Sequence, residues 1–149
     1  MASIERPAES SLPRYLVVVA GQQRFAWELD VIREIVPTPV VTRLPGAPVW
    51  VLGLLNLRGR VVTVVDLAAR MGLASGSGAS IVVLELDGRM LGVRVDEVRS
   101  VANAEDATVE PVEAARAADG LVAGMVRLAE GPAALVDARA FARSVLITV

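Results

Sequence analysis

Asp66 and Asp137 each close an apolar run, Val61-Val-Thr-Val-Val-Asp66 and Ala133-Ala-Leu-Val-Asp137, and by type they are the pair most suited to acid–base chemistry. Two carboxylates at matching strand ends can share one proton, because like charges held close together cannot both ionise. The residues that follow are Leu67-Ala68 and Ala138-Arg139, however, not the Thr-Gly that such a hairpin needs. A phosphoacceptor Asp at a strand end would need an acidic pair after the first strand and a late lysine, and the chain has neither. The remaining reading is structural: each Asp caps the short helix after its strand by accepting a free backbone N–H. The other reactive groups are few. There is no His and no Cys, and all 15 basic residues are Arg. That removes the commonest general base, thiol nucleophiles, Schiff-base and phosphate-binding lysines, and imidazole or thiolate metal ligands. Catalysis would have to rest on carboxylates, Tyr15 or hydroxyls, and no metal or cofactor is expected.

The elements that carry these residues occur twice. Phe25, Trp27, Leu29, Asp30, Ile32 and Ile35 superimpose on Leu91, Val93, Val95, Asp96, Val98 and Val101 at an offset of 66 residues. Past a linker the offset becomes 71, which places Gly53 on Gly124, Leu57 on Leu128 and Asp66 on Asp137. One insertion of five residues reconciles the two halves, the signature of an internal repeat.

The first copy spans about residues 15–73. Tyr15 to Ala20 predicts a buried strand, Gly21 to Arg24 a turn, and Phe25-Ala-Trp-Glu-Leu a half-buried strand of period two. Asp30 is expected to cap a short helical turn to Ile35, with Arg33 and Glu34 facing outward. Pro37, Pro39, Pro45 and Pro48 make an extended connector with at most an edge strand at Val40 to Thr42. Val49 to Leu57 and Arg60 to Asp66 are strands joined at Arg58-Gly59, where Gly59 supplies a positive φ. A short helix from Asp66 to Met71 stops at Gly72. Residues 74–80 are a Gly/Ser-rich linker expected to be flexible.

The second copy, about 81–143, repeats the plan. It has strands from Ile81 and Met90 around an Asp87-Gly88 turn, a capped turn from Asp96, and strands at Val122 to Leu128 and Ala133 to Asp137. A short helix is expected at Ala138 to Arg143, and the Ala-rich Val112 to Ala118 is weakly helical. Residues 1–14 have the composition of a mobile tail, and the β-branched Ser144 to Val149 favours a last strand. Whether strands exchange between the two halves is left open.

At 149 residues the chain can bury roughly 70% of its unfolded surface, enough for two small units that share an interface. It is 54% hydrophobic with only 3% aromatic residues, which suits small barrels lined by branched side chains. A net charge of −2 with arginines scattered among acids provides no basic stripe for nucleic acid and no polybasic membrane patch. No apolar run reaches the length of a membrane-spanning helix, and residues 1–14 lack the apolar stretch of a signal peptide. Cytoplasm is the expected compartment.

One constellation breaks the symmetry. Arg58 sits at a hairpin tip and Glu34 on a neighbouring exposed face, so the two are candidates for a charged pair; two unrelated solvated charges is the alternative. In the second copy Ala129 and Glu130 replace Arg58 and Gly59, and Ser100 replaces Glu34, so both partners are lost together. Trp27, Trp50, Phe25 and Phe141 are expected to fill the core, with Trp50 also a candidate interface anchor.

The Phe25-Ala-Trp hairpin, Val31-Ile-Arg-Glu-Ile35, Thr42-Arg-Leu-Pro-Gly-Ala-Pro48, Gly53-Leu-Leu-Asn-Leu-Arg-Gly-Arg60 and Gly88 to Val101 together resemble the CheW-like coupling proteins of bacterial chemosensory arrays. The likeness covers about Tyr15 to Phe141. It implies a mainly β fold of two SH3-like five-stranded barrels about a pseudo-twofold axis, with short helices, residues 15–143 forming one domain. It also implies a non-enzymatic adaptor between chemoreceptor tips and the regulatory domain of a CheA-type histidine kinase, reaching the membrane only through receptors and able to form rings with other CheW-like proteins. By position it makes Ile32, Glu34, Asn56, Arg58, Gly59 and Val98 the partner-binding residues, Glu34 with Arg58 as the charged pair and Ile32 and Val98 as apolar contacts near the groove between barrels. The second copy departs from the family after Val101, where the connector shrinks to Glu110-Pro-Val112 and a long C-terminal helix is missing. Two other readings stand beside it: a carboxylate hydrolase using Asp66 and Asp137, and an SH3-like module for proline-rich peptides, which would need clustered aromatics.

Overall fold

The computed structural model describes residues 12–37, 41–78, 80–105, 109–111 and 119–146. Among these residues ten strands follow one another: β1 (Arg14–Ala20), β2 (Gln23–Glu28), β3 (Ile32–Pro37), β4 (Val51–Leu57), β5 (Arg60–Asp66), β6 (Ser80–Leu86), β7 (Arg89–Val95), β8 (Glu97–Asn103), β9 (Val122–Leu128) and β10 (Gly131–Val136). Helix α1 (Leu67–Arg70) follows β5 and α2 (Ala138–Leu146) follows β10.

The strands form two five-stranded sheets, ordered β8-β1-β2-β10-β9 and β3-β6-β7-β5-β4. The five-strand shift between copies converts one order into the other, which is the pseudo-twofold relation seen in the sequence. Neither sheet is the product of one copy. The β1–β2 hairpin of the first copy lies between β8 and β10 of the second, and β6–β7 lies between β3 and β5 of the first. Each sheet curls without full ladder closure. In the first, among the described residues, an isolated bridge, Ala104 to Leu128, and the adjacent Glu105 N–H to Arg127 carbonyl bond link its outer edges.

The exchange accounts for the apolar runs in the central hairpins. Leu16, Val18, Val82 and Leu84 enter one core shared by both sheets, whereas the alternate residues Tyr15 and Val17 enter one smaller cluster and Ile81 and Val83 another. Strands buried on both faces read as continuous rather than alternating hydrophobicity. The repeated glycines have a steric origin: a Cβ on Gly53 would lie 2.0 Å from the Thr42 carbonyl oxygen, and one on Gly124 2.5 Å from that of Glu110. Both crossing residues form isolated bridges, Thr42 to Leu54 and Glu110 to Met125, so the connector does supply a minimal edge pairing.

Three local expectations are corrected. The turn at Asp30 is a single 3-10 turn, Leu29–Val31, and Ile32 onward is strand, as is Glu97 onward in the second copy. Backbone pairing to β6 and β1 outweighs the helix-like spacing, and it leaves Ile35 and Val101 exposed. Ser144 to Leu146 continues α2 instead of forming a strand, because Phe141 and Val145, one turn apart, both bury in the shared core. The linker is not free: Gly76 and Gly78 pack so closely on Asp96 that a Cβ on either would fall within 2.5 Å of it. The expectations for residues 1–11, 112–118 and 147–149 lie outside the described residues.

Candidate functional site

β4 and β5 meet at a two-residue loop in which Arg58 and Gly59 both have positive φ, +50 and +84. That is the loop geometry whose twist matches the flanking strands. Asn56 holds it closed, its Oδ1 accepting the Gly59 N–H at 3.0 Å. Arg58 therefore leaves the tip in a fixed direction. Its Nη1 donates to Glu34 Oε2 at 2.7 Å, across from β4–β5 to the opposite outer strand β3. The β3–β6 pairing shifts register between Ile32 and Glu34, next to the residue that Arg58 reaches. The Arg58 side chain remains 73% exposed and that of Glu34 21%, so the pair contributes only about 0–1 kcal/mol to stability. Its consequence is geometric: a cation held in place on the surface.

The sheet that holds β8, β9 and β10 shows that this contact is rewired, not lost. Ser100, at the position of Glu34, donates its hydroxyl to Glu130 Oε2 at 3.0 Å, and Arg99 Nε lies 4.0 Å from Glu130 Oε1. The outer strand and the opposite hairpin tip still meet, but the tip now carries a carboxylate. Sequence alignment alone missed this, because Glu130 falls on Gly59 and not on Arg58.

Ile32 and Val98 occupy equivalent places on β3 and β8, paired with Leu84 and Val18 and packed at the margin of the shared core. Each lies on a different sheet. Asn56 and Gly59 belong to the Arg58 tip.

The carboxylates of the catalytic reading part company. Asp66 makes no capping bond; its buried side chain pairs with Arg94 Nη1 at 2.9 Å and accepts the Ser75 hydroxyl. Asp137 does cap α2, accepting the Ala140 N–H at 3.1 Å. They end different sheets and, among the described residues, share no hydrogen-bond partner, so the structure offers no support for a dyad. Tyr15 is buried, and desolvation, with a smaller contribution from the Glu28 carboxylate, pushes its phenol above the ordinary value of 10. The aromatics do not form a peptide groove: Tyr15, Phe25, Trp27 and Phe141 are buried, and the Trp50 ring lies under the Arg70 guanidinium at 4.9 Å. Among the described residues no group of three or more acidic side chains is placed to hold a metal, and no helix is long and apolar enough to cross a membrane.

Loss of the Asn56 amide tests the tip. Asn56→Ala is expected to cost about 1 kcal/mol, the worth of one hydrogen bond. Thermal unfolding measures the cost, and amide exchange should accelerate first at Gly59.

The family model for the CheW-like domain matches residues 14–145. The chain belongs to the CheW-like domain family. Among its relatives, the chemotaxis protein CheW of Rhizobium meliloti is 34% identical over 94 residues, 61% of this chain and 61% of that protein. CheW of Klebsiella aerogenes is 29% identical over 128 residues, 83% of this chain and 77% of its own. Protein PilI of Pseudomonas aeruginosa is 35% identical over 52 residues, 35% of this chain and 29% of its own. The chain thus spans 61% of the length of the Rhizobium relative. The crystal structure of the scaffolding protein TtCheW from Thermoanaerobacter tengcongensis superimposes with a TM-score of 0.75 at 23% identity, covering 85% of this chain and 84% of that one. It shares the fold: a mainly β, CheW-like pair of SH3-like units.

Proposed function

We propose that this protein is a non-enzymatic adaptor that couples chemoreceptor cytoplasmic tips to the regulatory domain of a CheA-type histidine kinase in a cytoplasmic chemosensory array. The carrying observation is membership of the CheW-like family across residues 14–145 together with a positioned surface pair, Arg58 and Glu34, at the Asn-Leu-Arg-Gly hairpin. Ile32, Glu34, Asn56, Arg58, Gly59 and Val98 are the residues assigned to partner binding, and contacts with further CheW-like subunits would extend the array into rings. The relatives' name, chemotaxis protein CheW, supports a role in chemotaxis.

The test is binding of the purified protein to a CheA-type regulatory domain and to a receptor signalling tip. No binding to either at tens of micromolar overturns the proposal. Within it, Arg58→Ala is expected to weaken receptor binding about tenfold, the size of a single interface arginine. The melting temperature should hardly move, since the pair adds so little to stability. The double exchange Glu34→Arg with Arg58→Glu rebuilds the pair with its charges reversed. It should not restore binding if the partner reads the cation itself. Unfolding of Arg58→Ala would make Arg58 structural and remove it from the interface.

A further inference from the structure

The two halves of the chain, residues 14–73 and 80–146, meet in the ladders β1–β8, β2–β10, β3–β6 and β5–β7 and in the shared core. Each ladder pairs a strand of the first half with a strand of the second, and none of them depends on both halves belonging to one chain. A dimer in which the first half of each copy folds with the second half of the other would contain the same two sheets and the same core twice. It would differ from the monomer along the linker. The linker therefore decides between the two states, because the contacts between halves are common to both.

In the closed chain the linker is clasped. Leu73 packs on Gly21 and the Ser75 hydroxyl donates to Asp66, and both partners belong to the first half. The Gly76 N–H donates to Asp96 Oδ1 at 3.2 Å and its carbonyl accepts from Arg94 Nη2 at 2.7 Å, and both of these partners belong to the second half. The change of partner falls within one peptide unit, between Ser75 and Gly76. Neighbouring Cα atoms are only about 3.8 Å apart, so these two residues cannot stand in different lobes. A linker that crosses to another copy must open the clasp on one side. The second-half side has no slack: a Cβ on Gly76 would stand 2.5 Å from Asp96 Oδ2, and that carboxylate is itself held by the Gly21 N–H at 2.9 Å.

We propose that this clasp is a switch between a monomer and a dimer of two copies that swap halves. Closed, it keeps each first half on its own second half; opened, it lets the linker cross to a second copy of this chain. The swapped dimer is isologous, each lobe taking β1 to β5 from one copy and β6 to β10 from the other. Two linkers open per dimer, so the factor by which one clasp favours the closed path enters the dimer constant squared. This swap does not rest on the coupling function.

The chain has no cysteine, so Arg14→Cys with Asn103→Cys gives a disulfide that reports which chain each half belongs to. Both residues are exposed and directly paired across β1–β8. Their bond is intrachain in the closed monomer and interchain in the swapped dimer. In this background, deleting Ser75, Gly76 and Ser77 removes the clasp and shortens the closed path by roughly 10 Å. Light scattering should then find a dimer at tens of micromolar, and a non-reducing gel a covalent one. Gly76→Val, at full linker length, should strengthen dimerisation about a hundredfold: the two hydrogen bonds lost from each clasp count for about tenfold, and two clasps open. Refolding the cysteine-bearing parent at millimolar concentration, where a neighbour's half competes with the tethered one, should give an interchain bond whose share falls on dilution. That measurement needs no linker variant and decides the matter where the shortened chain does not fold. A folded shortened chain that stays monomeric, a dimer with intrachain disulfides, or refolding without a concentration-dependent interchain bond overturns the swap. An unchanged dimer constant in Gly76→Val overturns the role of the clasp.

Discussion

Cut in the linker between Gly76 and Ser80, the chain is expected to yield two pieces that are unfolded alone and fold when mixed. The reason is the exchange of hairpins. The first piece keeps β1–β2 without β8 and β10, and keeps β3, β4 and β5 without the β6–β7 hairpin that lies between β3 and β5. An isolated two-stranded hairpin is at best marginally stable in water, and three strands without their central partners leave their inner faces wet. The shared core draws Leu16, Phe25 and Trp27 from one piece and Leu84, Val93 and Phe141 from the other, so neither piece can bury its own apolar face. Mixing restores every ladder. Far-UV circular dichroism and amide NMR of each piece, and then of the equimolar mixture, measure this; a dispersed native spectrum from either piece alone would contradict it. The uncut residues 15–143 should correspondingly unfold in one transition.

Trp27→Ala is expected to be the most damaging single substitution in the core. Trp27 is fully buried and meets Phe141 edge-on, ring centroids 5.4 Å apart, joining β2 to α2. Truncating a buried aromatic costs about 3–5 kcal/mol through lost transfer energy and the cavity left behind. That is a large share of the roughly 5–15 kcal/mol that holds a domain together. For a chain of this length the melting temperature should fall by roughly 10 °C or more. The conservative replacement separates packing from polarity. The indole N–H is buried with no hydrogen-bond partner among the described residues, so Trp27→Phe gives up volume but no hydrogen bond. Its cost should be less than half that of Trp27→Ala. Urea unfolding of the two variants checks both values, and a loss below about 1 kcal/mol for Trp27→Ala would refute the central place given to this ring.

Much of this molecule was legible because its repeats are written in residue types that obey local rules. The strand at Phe25-Ala-Trp, the turns at Arg58-Gly59 and Asp87-Gly88, and the helix breaker at Gly72 each depend on a few neighbouring residues, and the strands and turns formed there, although the strand is buried on both faces and not half-buried as its period-two alternation predicts, because Ala26 enters a second core cluster. The pairing of Arg58 with Glu34 was also within reach, since one lies at a tip and the other on a polar strand position. The stretch after Asp30 was misread because Val31, Ile32 and Ile35 fit a helical spacing as well as a strand, and only pairing with β6 decides between them. At Ser144 to Leu146, local β-branching pointed to a strand, but Phe141 and Val145 have a core to fill.

By itself the sequence determined that the chain is a duplicated, β-rich unit with an asymmetric charged tip, and its motifs resembled the CheW-like family to which it belongs. These features depend on the order of residue types along the chain, and such order survives without coordinates. Only the tertiary structure decided which copy's strands lie beside which, because a hairpin's apolar faces fit either sheet equally well until the shared core closes. It also decided that Asp66 is a buried anchor for Arg94 and Ser75 while Asp137 caps a helix. The two aspartates have the same local sequence role. What differs is that the linker folds back over one of them and α2 runs on past the other.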